Sequence, residues 1–171
     1  MTSKLAILCG LLLSAALTTA HAEDGEFSTQ DKLLLTSLNE INMTTATVMA
    51  VFEYCMKQDP GFAMRSLETL EAWKARNKDF VSLSPLLRAE ALIIAEREGM
   101  TRAEANDVLD NAAHEVSSTF PDMLDLEPEV PRRVHVCNVY VDKIGDGEFD
   151  IAHDDEDQLG YLKSRLQALK R

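Results

Sequence analysis

The chain is short of basic residues and lacks several motifs that accompany well-known chemistry. Its 171 residues include 17 Lys and Arg against 29 Asp and Glu, a net charge of −12. Such a surface repels nucleic acid and anionic lipid, so we expect neither as a partner. No C-x-x-C pair and no G-x-S-x-G turn occurs, which argues against a thioredoxin-like redox site and a hydrolase nucleophile. We therefore predict a protein that is not an enzyme and that uses no cofactor.

Long apolar segments are also missing after the first 22 residues. The chain opens with Lys4 and an apolar run over residues 5–17, and an A-H-A sequence closes at residue 22. This order is typical of a cleaved signal peptide, and the run is shorter than the roughly 20 residues that span a bilayer. An uncleaved anchor is the alternative, whereas lipidation of Cys9 is disfavoured because that residue lies inside the apolar run.

Cleavage after residue 22 would leave a single helical domain, residues 23–171. Lys4 would be lost with the leader, so sixteen Lys and Arg would face 29 Asp and Glu, a net charge of −13. We expect this mature chain to be soluble and not inserted in a membrane. Its acidity suits a basic protein partner or a cation, and it also suits solubility alone.

Only three cysteines occur, and two of them, Cys55 and Cys137, remain after cleavage. Export implies an oxidising compartment, where two cysteines favour a disulfide. Each cysteine also belongs to a row of apolar residues spaced alternately by four and three positions, which is one face of a helix. We therefore predict a Cys55–Cys137 disulfide between two helices.

Apolar residues recur at helical spacing along nearly the whole mature chain, which predicts a compact all-α bundle of four to six helices with one disulfide. The predicted helices cover residues 30–57, 63–80, 85–98, 101–120, a segment from 131 to the glycines at 145 and 147, and a segment after 157. The third helix carries the apolar residues Leu86, Leu87, Ala91, Ile93 and Ile94, and the fourth opens with a capping box of Thr101 and Glu104. An acidic connector is expected over 121–128. The β-branched residues in 133–141 would also suit a strand, but the helical period favours a helix.

The second predicted helix carries the most distinctive side chains. Trp73 and Asn77 share its apolar face, so we expect Trp73 to anchor the packing and the buried amide of Asn77 to form a hydrogen bond with a loop backbone. The alternative is that Trp73, Arg76 and Asn77 bind a small ligand.

The order of Cys55, a W-x-x-R-N motif at 73–77, Cys137 and the sequence GDGEFDI resembles uncharacterised small exported helical two-cysteine proteins of Gram-negative bacteria. The resemblance spans most of the mature chain through short motifs. It implies a periplasmic helical domain with a disulfide. The group has no settled activity, so the resemblance assigns no catalytic residue.

Residues 142–157 bear a partial likeness to a calcium-binding EF-hand loop. The first, fifth and ninth ligand positions are filled by Asp142, Asp146 and Asp150. The third position is an isoleucine, and the twelfth is a histidine where a bidentate glutamate belongs. We therefore predict no metal site here at physiological calcium.

These features favour an exported, non-enzymatic helical binding or interaction protein, such as an inhibitor, an immunity-type protein or an accessory factor. The alternative is a periplasmic protein that binds a small ligand or a cation.

Overall fold

The computed structural model describes residues 27–58, 62–125 and 130–171, and its regular structure there is entirely helical. In chain order the helices are α1 (Thr29–Gln58), α2 (Phe62–Val81), α3 (Ser84–Arg97), α4 (Arg102–Asp125), α5 (Val130–Asp146) and α6 (Glu156–Leu169). The predicted all-α bundle is confirmed. The predicted signal peptide and the expected break at residues 59–61 lie outside the described residues. Within the part described, no helix is both long enough and apolar enough to cross a membrane.

Helix α1 is the organising element, since it packs against each of the other five helices. It is 30 residues long, and its predicted apolar face is buried along most of its length. The first half of that face includes Leu38 and Ile41, and the second half includes Val48 and Phe52, all of them almost inaccessible to water. One long helix therefore supplies side chains to the whole interior.

Buried side chains form two clusters, one at each end of α1. The disulfide core surrounds Cys55 and Cys137 and also contains Phe52, Trp73 and Ile144. The leucine core contains Leu38, Ile41, Leu83, Leu87, Ile151 and Leu162. The first core is built mainly by α1, α2 and α5, and the second by α1, α3, α6 and the segment before α6.

The predicted disulfide between Cys55 and Cys137 is confirmed. Its sulfur atoms are bonded at 2.06 Å, and both cysteines are buried. The bond joins the end of α1 to the middle of α5 and closes a loop across a sequence separation of 82 residues. A loop of this length can contribute up to about 4–5 kcal/mol to the free energy of unfolding in the chain-entropy model.

Local sequence explains how several helices begin and end. Thr101 and Glu104 form the predicted capping box, in which each side chain accepts a hydrogen bond from the other's backbone N–H. Asp155 caps α6 by accepting from the N–H of Gln158. Gly147 ends α5 at a positive φ of 89°, where the N–H of Glu148 reaches back to the Lys143 carbonyl.

The structure corrects three details of the predicted helices. Helix α4 continues through Pro121 to Asp125, so residues 121–125 of the expected connector are helical. The remaining residues of that connector, 126–128, lie outside the described residues. A proline removes one backbone donor and can be accommodated inside a long helix at a cost. Helix α5 likewise includes Gly145. Residues 133–141 are helical, as the helical period predicted. On α3, Ile93 was expected on the apolar face but is 63% exposed.

Candidate functional site

Three side chains of α2 point toward the segment that connects α5 to α6. Trp73, Arg76 and Asn77 stand at positions i, i+3 and i+4, so they share one face of the helix. We call them the α2 clamp, and we call residues 147–155 the α5–α6 loop. All three clamp residues donate hydrogen bonds to this loop, which lies more than seventy positions away in sequence.

Arg76 makes the charged part of the clamp. Its Nε lies 2.9 Å from Oδ2 of Asp150, and its Nη2 lies 3.1 Å from Oδ1 of the same carboxylate. The Nη2 atom also donates to the carbonyl of Ile144, at 2.7 Å, near the end of α5. A two-pronged pairing of this kind fixes both the distance and the orientation of the carboxylate.

Asn77 and Trp73 make the buried part of the clamp. The amide Nδ2 of Asn77 donates to Oδ1 of Asp150 at 2.9 Å and to the Trp73 carbonyl at 3.0 Å. Its Oδ1 accepts from the backbone N–H of Ile151 at 2.8 Å, as expected for a hydrogen bond between this side chain and a loop backbone. The indole Nε1 of Trp73 donates to the Phe149 carbonyl at 2.7 Å. Every polar group of the Asn77 side chain therefore has a partner.

The backbone of the α5–α6 loop is shaped to receive these bonds. A Cβ at Gly147 would stand 3.2 Å from Oδ2 of Asp150, so a larger residue would crowd the paired carboxylate. Ala152 has a φ of 58°, a left-handed conformation that is uncommon for residues other than glycine. Phe149 packs against the disulfide core, whereas Ile151 and Ala152 are buried in the leucine core. The loop thus joins the two cores.

A polar cleft of about 220 Å³ opens beside the clamped loop. Helix α1 contributes Glu40 and Thr44 to it, and the loop and the start of α6 contribute the rest: Glu148, Phe149, Asp150, Ala152, His153, Asp154, Asp155 and Gln158. We call this feature the acidic cleft. It was not predicted, because nothing in the sequence shows that Glu40 lies near residues more than one hundred positions later.

Negative charge exceeds positive charge in the acidic cleft. Asp150 is balanced by Arg76, and Glu148 is paired with Lys143 at 2.6 Å. This bond and the attraction to Glu148 raise the pKa of Lys143. Glu40 accepts from the hydroxyl of Thr44, and Asp155 accepts from a backbone N–H of α6. Because the hydroxyl and the N–H are neutral donors, they leave the negative charges of Glu40 and Asp155 uncompensated. The cleft therefore suits a positively charged group.

The predicted site residues are divided between these features. The clamp residues direct most of their described polar contacts to the loop, and binding of a small ligand by them stays a prediction. Asp142 and Asp146 are exposed, whereas the carboxylate of Asp150 is held by the clamp. Among the described residues, no three acidic, histidine or cysteine side chains are grouped closely enough to hold a metal ion.

Comparison with known proteins adds no relative. No protein family, no curated protein and no solved structure matches this chain.

Proposed function

We propose that this protein is an exported, non-enzymatic binding protein that recognises a basic group of a partner protein. The observation that carries the proposal is the acidic cleft, a concave surface with excess carboxylates and with walls set by the clamped loop. An inhibitor, an immunity-type protein and an accessory factor all act through binding of this kind.

One property of the cleft and one property of the whole mature chain support recognition of a protein. Its loop wall is held by hydrogen bonds from Trp73, Arg76 and Asn77, so little conformational freedom remains to be lost when a partner binds. The net charge of −13 on the mature chain would also draw a basic partner toward the surface and speed the encounter. Long-range attraction and a rigid local site together favour a charged protein over a neutral metabolite.

The proposed location is the periplasm. The predicted leader supports export, and the buried Cys55–Cys137 bond suits an oxidising compartment. Mass spectrometry of the protein purified from its native cells checks this point. The mature chain should begin at Glu23, and a mature species that still begins at Met1 would contradict cleavage.

The binding proposal is tested by removing charge from the cleft without changing shape. The double variant Glu40→Gln/Asp154→Asn replaces two cleft carboxylates with amides of equal size. The control Glu68→Gln/Asp79→Asn makes the same chemical change at exposed positions of α2. Each protein is immobilised and exposed to periplasmic extract at low salt, and the retained proteins are identified by mass spectrometry.

A basic protein should be retained by the parent and by the α2 control, and it should be lost from the cleft variant. Retention should also fall as salt rises, because exposed charges are screened beyond about 10 Å at 0.1 M ionic strength. Equal retention by all three proteins would show that the cleft is not the recognition site.

A further inference from the structure

An apolar groove lies on a different side of α1 from the acidic cleft. It holds about 80 Å³ and is lined by Phe27, Leu35, Ala91, Ile94, Ala95, Glu98, Met100, Ala105, Val108 and Leu109. These residues belong to α1, α3, α4 and their flanking segments. Leu35 is nine positions before Thr44, which lines the cleft, and at 100° per residue the two side chains point in opposite directions from α1.

The groove exists because small residues stand where α3 and α4 approach each other. Ala91, Ala95 and Ala105 leave space that larger neighbours do not fill, and Val108 and Leu109 stay partly exposed. Covering apolar surface with another apolar group removes it from water and lowers the free energy of the system. The space is far smaller than a typical cofactor pocket of about 300–1,000 Å³, so it suits a side chain rather than a cofactor.

The segments that line the groove, residues 27–35 and 91–109, carry five acidic residues against three basic ones. Arg97 is shared by two carboxylates, with Nη2 at 2.9 Å from Asp31 and Nε at 3.0 Å from Glu98. Glu104 precedes the lining residue Ala105, and its described hydrogen bonds come from Thr101. These bonds lower the pKa of Glu104, and bonds from Ser28 and Arg97 lower that of Asp31, so both acids are ionised at neutral pH.

We infer that this groove receives an apolar side chain from an amphipathic basic segment of the partner protein. The inference rests on the proposed function, which supplies a basic partner, and it adds a second contact surface. Apolar anchors in a groove with charges at the edge are a common way to recognise a helix. The unbalanced carboxylates fit lysine or arginine side chains that flank the anchor, so the charge of the surface and its shape select the same class of segment.

Two synthetic helical peptides provide the test. One has leucine on one face and lysine on the other, and the second has serine in place of every leucine. Fluorescence anisotropy of the labelled peptides measures the affinity of each for the mature protein. The leucine peptide should bind at least about tenfold more tightly, because burial of one apolar side chain is worth that factor or more.

Two groove variants and one control variant show where on the protein this difference in affinity arises. Ala95→Phe should fill the groove and bring the affinity of the leucine peptide down to that of the serine peptide. Ala75→Phe adds the same side chain on an exposed position of α2 and should leave the ratio unchanged. Val108→Gln, which makes the groove polar without filling it, should also lower the ratio, and circular dichroism shows which variants are folded.

The outcomes separate this inference from the proposed function. Equal affinity for the two peptides, or a ratio that survives both groove variants, would overturn the groove even if the cleft variant Glu40→Gln/Asp154→Asn weakens binding. If only the groove variants abolish the difference in affinity between the leucine and serine peptides, the groove is supported. This holds even if the cleft variant has no effect, which would count against the proposed cleft alone. Failure of both peptides to bind at low salt would overturn the groove and count against a basic partner.

Discussion

Replacement of Asn77 by alanine tests the α2 clamp most directly. The Asn77 side chain is 1% exposed and forms three hydrogen bonds, to the Trp73 carbonyl, to Asp150 and from the N–H of Ile151. Alanine would leave the N–H of Ile151 without an acceptor inside the leucine core. A stranded buried donor costs about 1–3 kcal/mol.

The total cost should lie toward the upper part of that range. Asp150 loses one donor in the variant but keeps Arg76, and its side chain is 27% exposed, so water replaces part of the lost bond. The backbone donor has no such replacement. We therefore expect Asn77→Ala to lower the free energy of unfolding by about 2–3 kcal/mol. For a domain of this size, the melting temperature should fall by about 4–12 °C.

The measurement uses urea denaturation followed by the fluorescence of Trp73, the only tryptophan in the chain. Asn111→Ala, at an exposed position of α4, is the matched control and should change stability by less than about 0.5 kcal/mol. Asn77→Asp should be less stable than Asn77→Ala at neutral pH, because it places a second carboxylate beside Asp150. This extra loss should shrink as the pH falls toward about 4 and one of the two carboxylates becomes protonated.

Equal urea midpoints for Asn77→Ala and Asn111→Ala would refute this reasoning. They would show that the α5–α6 loop keeps its position without the clamp, and the rigidity assigned to the acidic cleft would lose its physical basis. Loss of partner binding without loss of stability would instead show that Asn77 contacts a ligand.

Three further perturbations test other parts of the structure. The mature chain should contain no free thiol when denatured without reductant, and Cys137→Ser should lower stability by up to about 4–5 kcal/mol; two thiols that react with a labelling reagent would contradict the disulfide. Asp31→Asn should destabilise the protein near neutral pH, since hydrogen bonds from Ser28 and Arg97 lower the pKa of Asp31. That contribution is present above the ordinary value of 3.8 and is lost as pH falls through the lowered pKa, so parent and variant should converge in urea titrations at low pH; a gap that does not depend on pH would point to another cause. Calcium at about 1 mM should not raise the melting temperature relative to excess chelator, and a rise that Asp146→Ala abolishes would reveal a calcium site.

The helices were predictable because their apolar residues repeat locally. On α1, the spacing of Leu38, Ile41, Val48 and Phe52 indicated a buried face, and the structure buries all four. The same reasoning placed Cys55 and Cys137 inside, and they are the only pair left when Cys9 is assigned to the predicted leader. Local periodicity and a chemical constraint were sufficient for these features.

Contacts between distant segments were not predictable from that periodicity. The expected hydrogen bond from Asn77 to a loop named neither the loop nor Asp150, which lies 73 residues away. The exposure of Ile93 was missed because helical spacing does not show how far neighbouring helices extend around an apolar face. Both the acidic cleft and the apolar groove depend on how whole helices approach one another, which a single sequence leaves open.

The position of α1 has a consequence for the order in which the protein folds. This helix is synthesised first, yet its buried side chains are covered partly by segments that are synthesised last. A chain that ends before residue 130 lacks Cys137, the bonded partner of Cys55, and one that ends before residue 147 lacks Ile151 and Leu162 of the leucine core. Until the residues from 130 onward emerge, α1 must therefore keep part of its apolar face uncovered. This order of synthesis fits the proposed export, in which the chain would cross a membrane before its native fold is able to form.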